Sequence, residues 1–283
     1  IDEKQDPMKW DCVIPIKKEG KLPPLYVVHG AFLDILYIRN LLPYLDAEQP
    51  VYGIQGMGLS GKSKPLASVE KISAYYVSEM LKHTPNGPYA LVGYSFGGIF
   101  AWEIAKQLKA LGKEVSFIGL LDTFVNDFQY PSFKDKLRFY QTLSSDGIKQ
   151  FGWIKFLLFA SEFVFRQTIA KFSYRLYAKC VHKLLRYTKD QVTYSHLHDK
   201  YKLEKSDFPF NIVLFKSPEN PANRYFDDHA TNGWAPFVHP NTFQIVPIHE
   251  SHNNMFYADK VADLGIKLNR KLQETWSEIR EPV

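Results

Sequence analysis

Cysteine is nearly absent: Cys12 and Cys180 are the only two in 283 residues. Two thiols cannot build a disulfide framework or a multi-cysteine metal site, and such sparing use fits a reducing, cytoplasmic setting. Long hydrophobic runs are missing too. No stretch of eighteen apolar residues occurs and no charged-then-apolar leader opens the chain, so neither membrane spanning nor secretion is expected. A strong excess of one charge is also lacking: 35 Lys and Arg against 30 Asp and Glu leave +5, too little to argue for nucleic acid. There is no internal repeat and no low-complexity tract. What is present is an ordinary globular balance, 45% hydrophobic and 23% charged, which excludes global disorder and fibrous architecture. The length suits one large α/β domain, or a core carrying an insertion. The polar start, Ile1 to Gln5, reads as a linker remnant, so residues 1–22 are expected to be a linker and N-terminal extension and 23–283 the folded domain.

Short β-rich runs alternate with helical patterns. Leu25–Val28, Val51–Ile54, Tyr89–Val92, Val115–Leu121, Phe210–Phe215 and Thr242–Val246 read as strands. Between them, Phe32–Leu45 carries apolar residues at helical spacing (Leu33, Leu36, Tyr37, Leu41, Leu42). Val69–His83 is a helix stopped by Pro85 and Gly87, and Phe96–Leu111 is a helix stopped by Gly112. A last helix is expected over Met255–Leu272. Strands alternating with amphipathic helices imply crossover units and a mostly parallel sheet flanked by helices. The alternation lapses over Asn126–Lys205, which is rich in aromatics and has no convincing strand. Eighty structureless residues would be unusual, so this stretch is expected to be a helical insertion over the end of the sheet.

Gly93-Tyr94-Ser95-Phe96-Gly97-Gly98 contains G-x-S-x-G. Composition alone produces that pattern in roughly one chain of this length in ten. Its context is more restrictive, because it closes a strand and opens a helix, the setting in which a serine is presented on a tight, strained turn. Gly93 and Gly97 remove side chains that would collide across such a turn, and Ser95 then sits at a helix N-terminus, which favours developing negative charge. The bland alternative is a glycine-rich turn with a solvated serine.

A serine hydroxyl needs a base, and the base an orienting carboxylate. In a strand-turn-helix hydrolase the chain order is serine, acid, histidine. Asp122 ends the next strand and is the preferred acid over Asp227 and Asp228, which follow the strand after it; a plain capping role is its alternative. His252 and His249 both follow the last strand, and His252 is preferred. His29, with Gly30, shapes the first loop rather than taking protons, and His229 and His239 have no comparable placement. An oxyanion must be met by two backbone N–H groups. The amide of Phe96 follows the nucleophile, and Ala31, in His29-Gly30-Ala31-Phe32, is the candidate for the second.

Together these segments resemble a thioesterase domain of the polyketide and nonribosomal peptide synthetases, within the α/β-hydrolase fold. The matching features are Pro23-Pro24-Leu25 through His29-Gly30, Pro50 through Gln55, Gly87-Pro88-Tyr89, Gly93–Gly98, Leu120-Leu121-Asp122, Gly233-Trp234 and His252 through Met255. The resemblance implies Ser95, Asp122 and His252 as the triad. It makes the insertion at 126–205 a variable lid. It also implies a substrate borne on the phosphopantetheine arm of an acyl or peptidyl carrier protein, with no bound cofactor and no metal. The start at Ile1 rather than Met and its linker-like character favour a carrier domain in the same polypeptide over a stand-alone editing enzyme. Two features depart from the family: His-Gly-Ala-Phe stands where a proline and a glycine pair are common, and His249-Glu250-Ser251 replaces a glycine-containing approach to the histidine.

The insertion adds one observation of its own. Residues 134–187 hold eleven Lys and Arg against Asp135, Asp146 and Glu162, a basic face that could steer an acidic carrier or simply be solvated. The expected function is therefore an acyl thioesterase releasing acid or macrocycle in the biosynthesis of secondary metabolites. The alternatives are a free-standing esterase or lipase and a catalytically silent carrier-docking domain.

Overall fold

The structure, a computed structural model, describes residues 12–30, 33–57, 66–125, 194, 197, 200–206, 208–218 and 230–280. Seven strands form one sheet: β1 (Val13–Lys17), β2 (Leu25–Val28), β3 (Val51–Ile54), β4 (Tyr89–Tyr94), β5 (Val115–Leu121), β6 (Ile212–Lys216) and β7 (Phe243–Pro247). Their order across the sheet is β1-β3-β2-β4-β5-β6-β7. All neighbours are parallel except β1, which runs antiparallel to β3. With α1 (Val69–His83), α2 (Gly97–Ala110) and α3 (Ala262–Arg280), this is the α/β-hydrolase architecture expected from the sequence.

Period-two alternation sorts the strand residues onto two faces. Tyr26, Val28, Leu91, Ile118, Leu120, Ile212 and Leu214 face one cluster, shared with Ile72, Tyr76 and Met80 of α1 and Ile99, Phe100, Ile104 and Leu108 of α2. Leu25, Val27, Ala90, Val92, Phe117, Leu121, Val213 and Phe215 face the other, which α3 closes with Leu264, Leu268, Leu272 and Trp276. Those four residues recur every fourth position and so form one stripe along the helix. Central strands buried on both faces explain why their sequences are apolar without interruption.

Local chemistry sets the helix ends. The Ser68 hydroxyl accepts from the Lys71 amide at the start of α1, and Gly112, at φ +71°, turns the chain after α2.

Three boundaries differ from the sequence reading. Val13–Lys17, assigned to the N-terminal extension, is an edge strand of the sheet. Pro15 is tolerated because an edge strand need not use every N–H. Phe32–Leu45 is not one helix; Leu36–Asn40 and Leu42–Tyr44 form separate 3-10 turns, since Pro43 cannot donate to a continuing α-helix. Leu36 is 69% exposed, while Ile35, Ile38 and Leu41 are buried. The last helix begins at Ala262 rather than Met255. Residues before it form successive turns, with Met255 bonded to the Ser251 carbonyl and Val261 to that of Tyr257.

Candidate active site

The parallel register levels the strand exits. Tyr94 pairs with Leu121, Leu121 with Phe215 and Phe215 with Val246, so the loops after β4, β5, β6 and β7 leave the sheet from one row. The backbone continues that alignment: the Ser95 amide donates to Leu121 O at 2.9 Å and the Asp122 amide to Phe215 O at 2.8 Å. Ligand sites of open parallel sheets lie at this carboxyl edge.

Ser95 follows β4 at φ +52°, left-handed backbone that a non-glycine residue adopts under constraint. The constraint is close approach. A Cβ on Gly93 would collide with the Gly97 backbone, one on Gly97 with the His29 carbonyl, and one on Gly98 with the Thr123 side chain. Those glycines let the strand, the turn and the first loop interpenetrate, and the result is a partly exposed Ser95 at the head of α2.

Ser95, His252 and Asp122 form one hydrogen-bonded chain. His252 Nε2 lies 3.1 Å from Ser95 Oγ, and Nδ1 lies 2.8 Å from Asp122 Oδ2. An ionised carboxylate only accepts, so Nδ1 donates to Asp122, which leaves Nε2 to accept from the serine hydroxyl when the ring acts as a base. Asp122 is fully buried and the His252 side chain is 12% exposed. Burial would raise the Asp122 carboxyl, but hydrogen bonds from His252 and Ser217 and the charge of His252 outweigh it and hold the group below the ordinary carboxylate range.

The carboxylate has further partners that the sequence reading did not anticipate. Ser217, at the exit of β6, donates its backbone N–H to Oδ1 at 3.1 Å and its hydroxyl to Oδ2 at 2.6 Å. Asn232 Nδ2 reaches Oδ1 at 3.3 Å and also Thr123 O. Trp234 Nε1 donates to the same Thr123 carbonyl. The pair Asn232-Gly233 is a recognisable turn signal, and both residues have positive φ, but nothing local names the carboxylate it reaches.

Tyr94 supports the base. Its hydroxyl donates to the His252 carbonyl at 2.9 Å, and its ring lies 5.1 Å from the imidazole. Tyr37 and Phe256 complete the aromatic packing around it. Burial and the Asp122 charge push the Tyr94 phenol well above its ordinary range, so it stays a donor.

The rival histidines are placed elsewhere. His249 is 82% exposed and pairs with Asp263, its Nδ1 3.2 Å from the carboxylate. His29 is buried, with Nδ1 2.8 Å from Gly30 O and Nε2 2.9 Å from the Tyr76 hydroxyl. Burial depresses it to about 4, so it is neutral and structural. Of the two expected oxyanion amides, Phe96 lies at the head of α2, while Ala31 lies outside the described residues. So do Asp227, Asp228, His229, the basic stretch at 134–187 and most of the expected lid. Within 126–205, only Tyr194, Leu197 and 200–205 are described, and Tyr194 and Leu197 are buried against the α1–α2 face of the sheet. Among the described residues, no group of His, Cys, Asp and Glu could hold a metal ion and no helix is long and apolar enough to cross a membrane.

Comparison with known proteins agrees with this architecture. Residues 23–145 match the family model described as Thioesterase domain. Over 114 residues, 40% of this chain, the sequence is 36% identical to an inactive atromentin synthetase of Paxillus involutus and 34% identical to the atromentin synthetase of Tapinella panuoides. The chain spans 12% of the length of each. In fold, it is similar to a four-domain nonribosomal peptide synthetase solved in its holo form with AMP and glycine (TM-score 0.69, 22% identity, 92% of this chain and 20% of that one). It is also similar to the NocB thioesterase domain of the nocardicin cluster (TM-score 0.63, 18% identity, 92% of this chain and 98% of that one). The resemblance to thioesterase domains of nonribosomal peptide synthetases therefore extends over both sequence and fold.

Proposed function

We propose that this chain is an acyl-carrier thioesterase that releases an acyl or peptidyl chain from the phosphopantetheine arm of a carrier domain in the same polypeptide. The observation that carries this reading is the continuous chain Ser95–His252–Asp122, with distances of 3.1 and 2.8 Å, at the carboxyl edge of a sheet matched by thioesterase domains. Ser95 Oγ attacks the thioester carbonyl while His252 Nε2 takes its proton. Asp122 stabilises the imidazolium and fixes its tautomer. The tetrahedral oxyanion is met by the Phe96 amide and, from the first loop, that of Ala31. Collapse expels the phosphopantetheine thiol, which takes the proton from His252. Water, or a nucleophile within the bound chain, then attacks the acyl-serine with His252 again as base, giving acid or macrocycle. A carrier in cis is favoured by the length of the relatives, of which this chain spans between 2% and 13%.

The test is covalent. An activated acyl thioester should leave an acyl adduct on the peptide containing Ser95, read by mass spectrometry, and Ser95→Ala should abolish both adduct and turnover while remaining folded. His252→Ala should lose several orders of magnitude in turnover, and His249→Ala almost none. An adduct elsewhere, or a wild-type protein that neither acylates nor turns over, would overturn the catalytic reading. The latter result would favour a silent docking domain, in keeping with a relative named inactive.

A further inference from the structure

Resting on that reading, we infer that Ser217 and Asn232 are positioning residues that clamp the Asp122 carboxylate so that Oδ2 faces His252. Ser217 spans the carboxylate. Its backbone N–H takes Oδ1 and its hydroxyl takes Oδ2, and two bonds from one residue to the two oxygens define both the position and the plane of the group. The hydroxyl shares Oδ2 with the imidazole, so it holds the oxygen that the base uses without displacing the base. Because β5 and β6 are in register up to Leu121 and Phe215, Ser217 leaves its strand beside the acid.

Asn232 supplies the second hold, under constraint. It is fully buried, at φ +51°. Its Nδ2 faces two acceptors, Asp122 Oδ1 and Thr123 O, which settles the orientation of the amide. That orientation leaves Oδ1 buried with no hydrogen-bond partner among the described residues. A buried polar atom without a partner is unfavourable and uncommon in folded proteins. Its retention here is explained by what the other end of the amide does for the acid. With Ser217 and Asn232 in place, at least three donors besides His252 Nδ1 reach the carboxylate, which keeps it ionised and keeps it from rotating away from the ring.

Rotation and basicity can be read separately. Removing the Ser217 hydroxyl leaves the imidazole with a carboxylate that is less well held and more basic. The less well held group aligns His252 poorly, so Ser95 reacts more slowly. The more basic group pulls harder on the Nδ1 proton, so the acidic limb of the reactivity profile moves upward. Among the described residues, Tyr94 beside the ring is a phenol held as a donor, and His249 and Glu250 on the same loop face Asp263 and Lys260.

The experiment is the pH dependence of Ser95 phosphonylation by a fluorophosphonate probe, which needs no knowledge of the natural acyl chain. Ser217→Ala should label about ten-fold more slowly at the plateau, with the acidic limb of the profile displaced upward by about half a pH unit. Ser217→Thr, which keeps the hydroxyl, should restore both. Asn232→Gly keeps the left-handed backbone and should move the limb in the same direction by less. Melting temperatures measured alongside separate folding from chemistry. A Ser217→Ala protein with the wild-type plateau and limb overturns the inference even if its melting temperature falls. Labelling of Ser95→Ala at the wild-type rate overturns the catalytic reading, and this inference with it.

Discussion

The turn after β4 and the turn after β5 stand side by side at the sheet's edge and are built by opposite means. The first is local. Gly93, Ser95, Gly97 and Gly98 lie within six residues, and the fit depends on side chains missing where the turn meets its own backbone, the His29 carbonyl and the Thr123 side chain. The second is assembled from afar. Asp122 also sits at positive φ, yet its carboxylate is held by Ser217, Asn232 and His252, which lie 95 to 130 positions along the chain. A local turn tolerates little change of shape. An assembled one tolerates shape changes better but is sensitive to the chemistry of each distant donor.

The hardest way to break the contrast is chemical. Asp122→Asn should lower kcat/KM by about 10⁴, because an amide no longer holds His252 in the tautomer that leaves Nε2 free to accept. Turnover per folded molecule, with a small acyl thioester, measures it. The corresponding blow to the local turn is steric: Gly97→Ala should cost about 3 kcal/mol or more of stability, since the new Cβ meets the His29 carbonyl, which is backbone and cannot rotate aside. Urea unfolding of that variant against Ala101→Gly, on the same helix, distinguishes collision from helix propensity. A Gly97→Ala protein of ordinary stability would show that the turn is looser than its geometry.

The wall behind that turn makes an acid-sensitive prediction of comparable size. His29 is held near 4, below the ordinary 6.5, by burial. The unfolded chain therefore binds the extra proton between those values. Stability contributed by the neutral ring is intact above about 6.5 and is lost as pH falls towards 4, by about 3 kcal/mol. His29→Phe should remove that part of the slope in denaturation measured across this window, whatever it does to stability at neutral pH. The smallest expected effect falls between the two turns, where Tyr94 leaves one and braces the base of the other. Tyr94→Phe deletes the bond to the His252 carbonyl but keeps the ring against the imidazole. It should lower kcat/KM about ten-fold, and Tyr94→Leu, which removes both supports, should lower it further.

The same contrast explains what could be read from the sequence. Gly93-Tyr94-Ser95-Phe96-Gly97 announces itself because the residue types its shape requires lie together in one short motif. Asp122 and His252 could be nominated from strand order, since each follows a strand that must end at the same edge. Ser217 and Asn232 could not. A serine after a strand and an asparagine before a glycine are ordinary loop residues until the sheet brings them to the carboxylate. The strand β1 was hidden for another reason: Pro15 interrupts it, and only edge pairing with β3 makes that harmless. Pro43, conversely, was a visible breaker that the apolar spacing of Leu33, Tyr37 and Leu41 overshadowed.

The stripe of Leu264, Leu268, Leu272 and Trp276 on α3 has a kinetic consequence. The loop bearing His252 lies between β7 and this helix, and Trp276 Nε1 also bonds Gln49 Oε1 across 227 positions. Contacts of such separation are slow to close. The base can then reach Ser95 only after α3, which follows its loop in the chain, has docked on the sheet, while the glycine turn draws on segments that precede it. Nucleophilic competence thus becomes a timer for maturation: on a nascent chain, reactivity towards the fluorophosphonate probe should switch on late, well after the sheet gains protection from proteolysis.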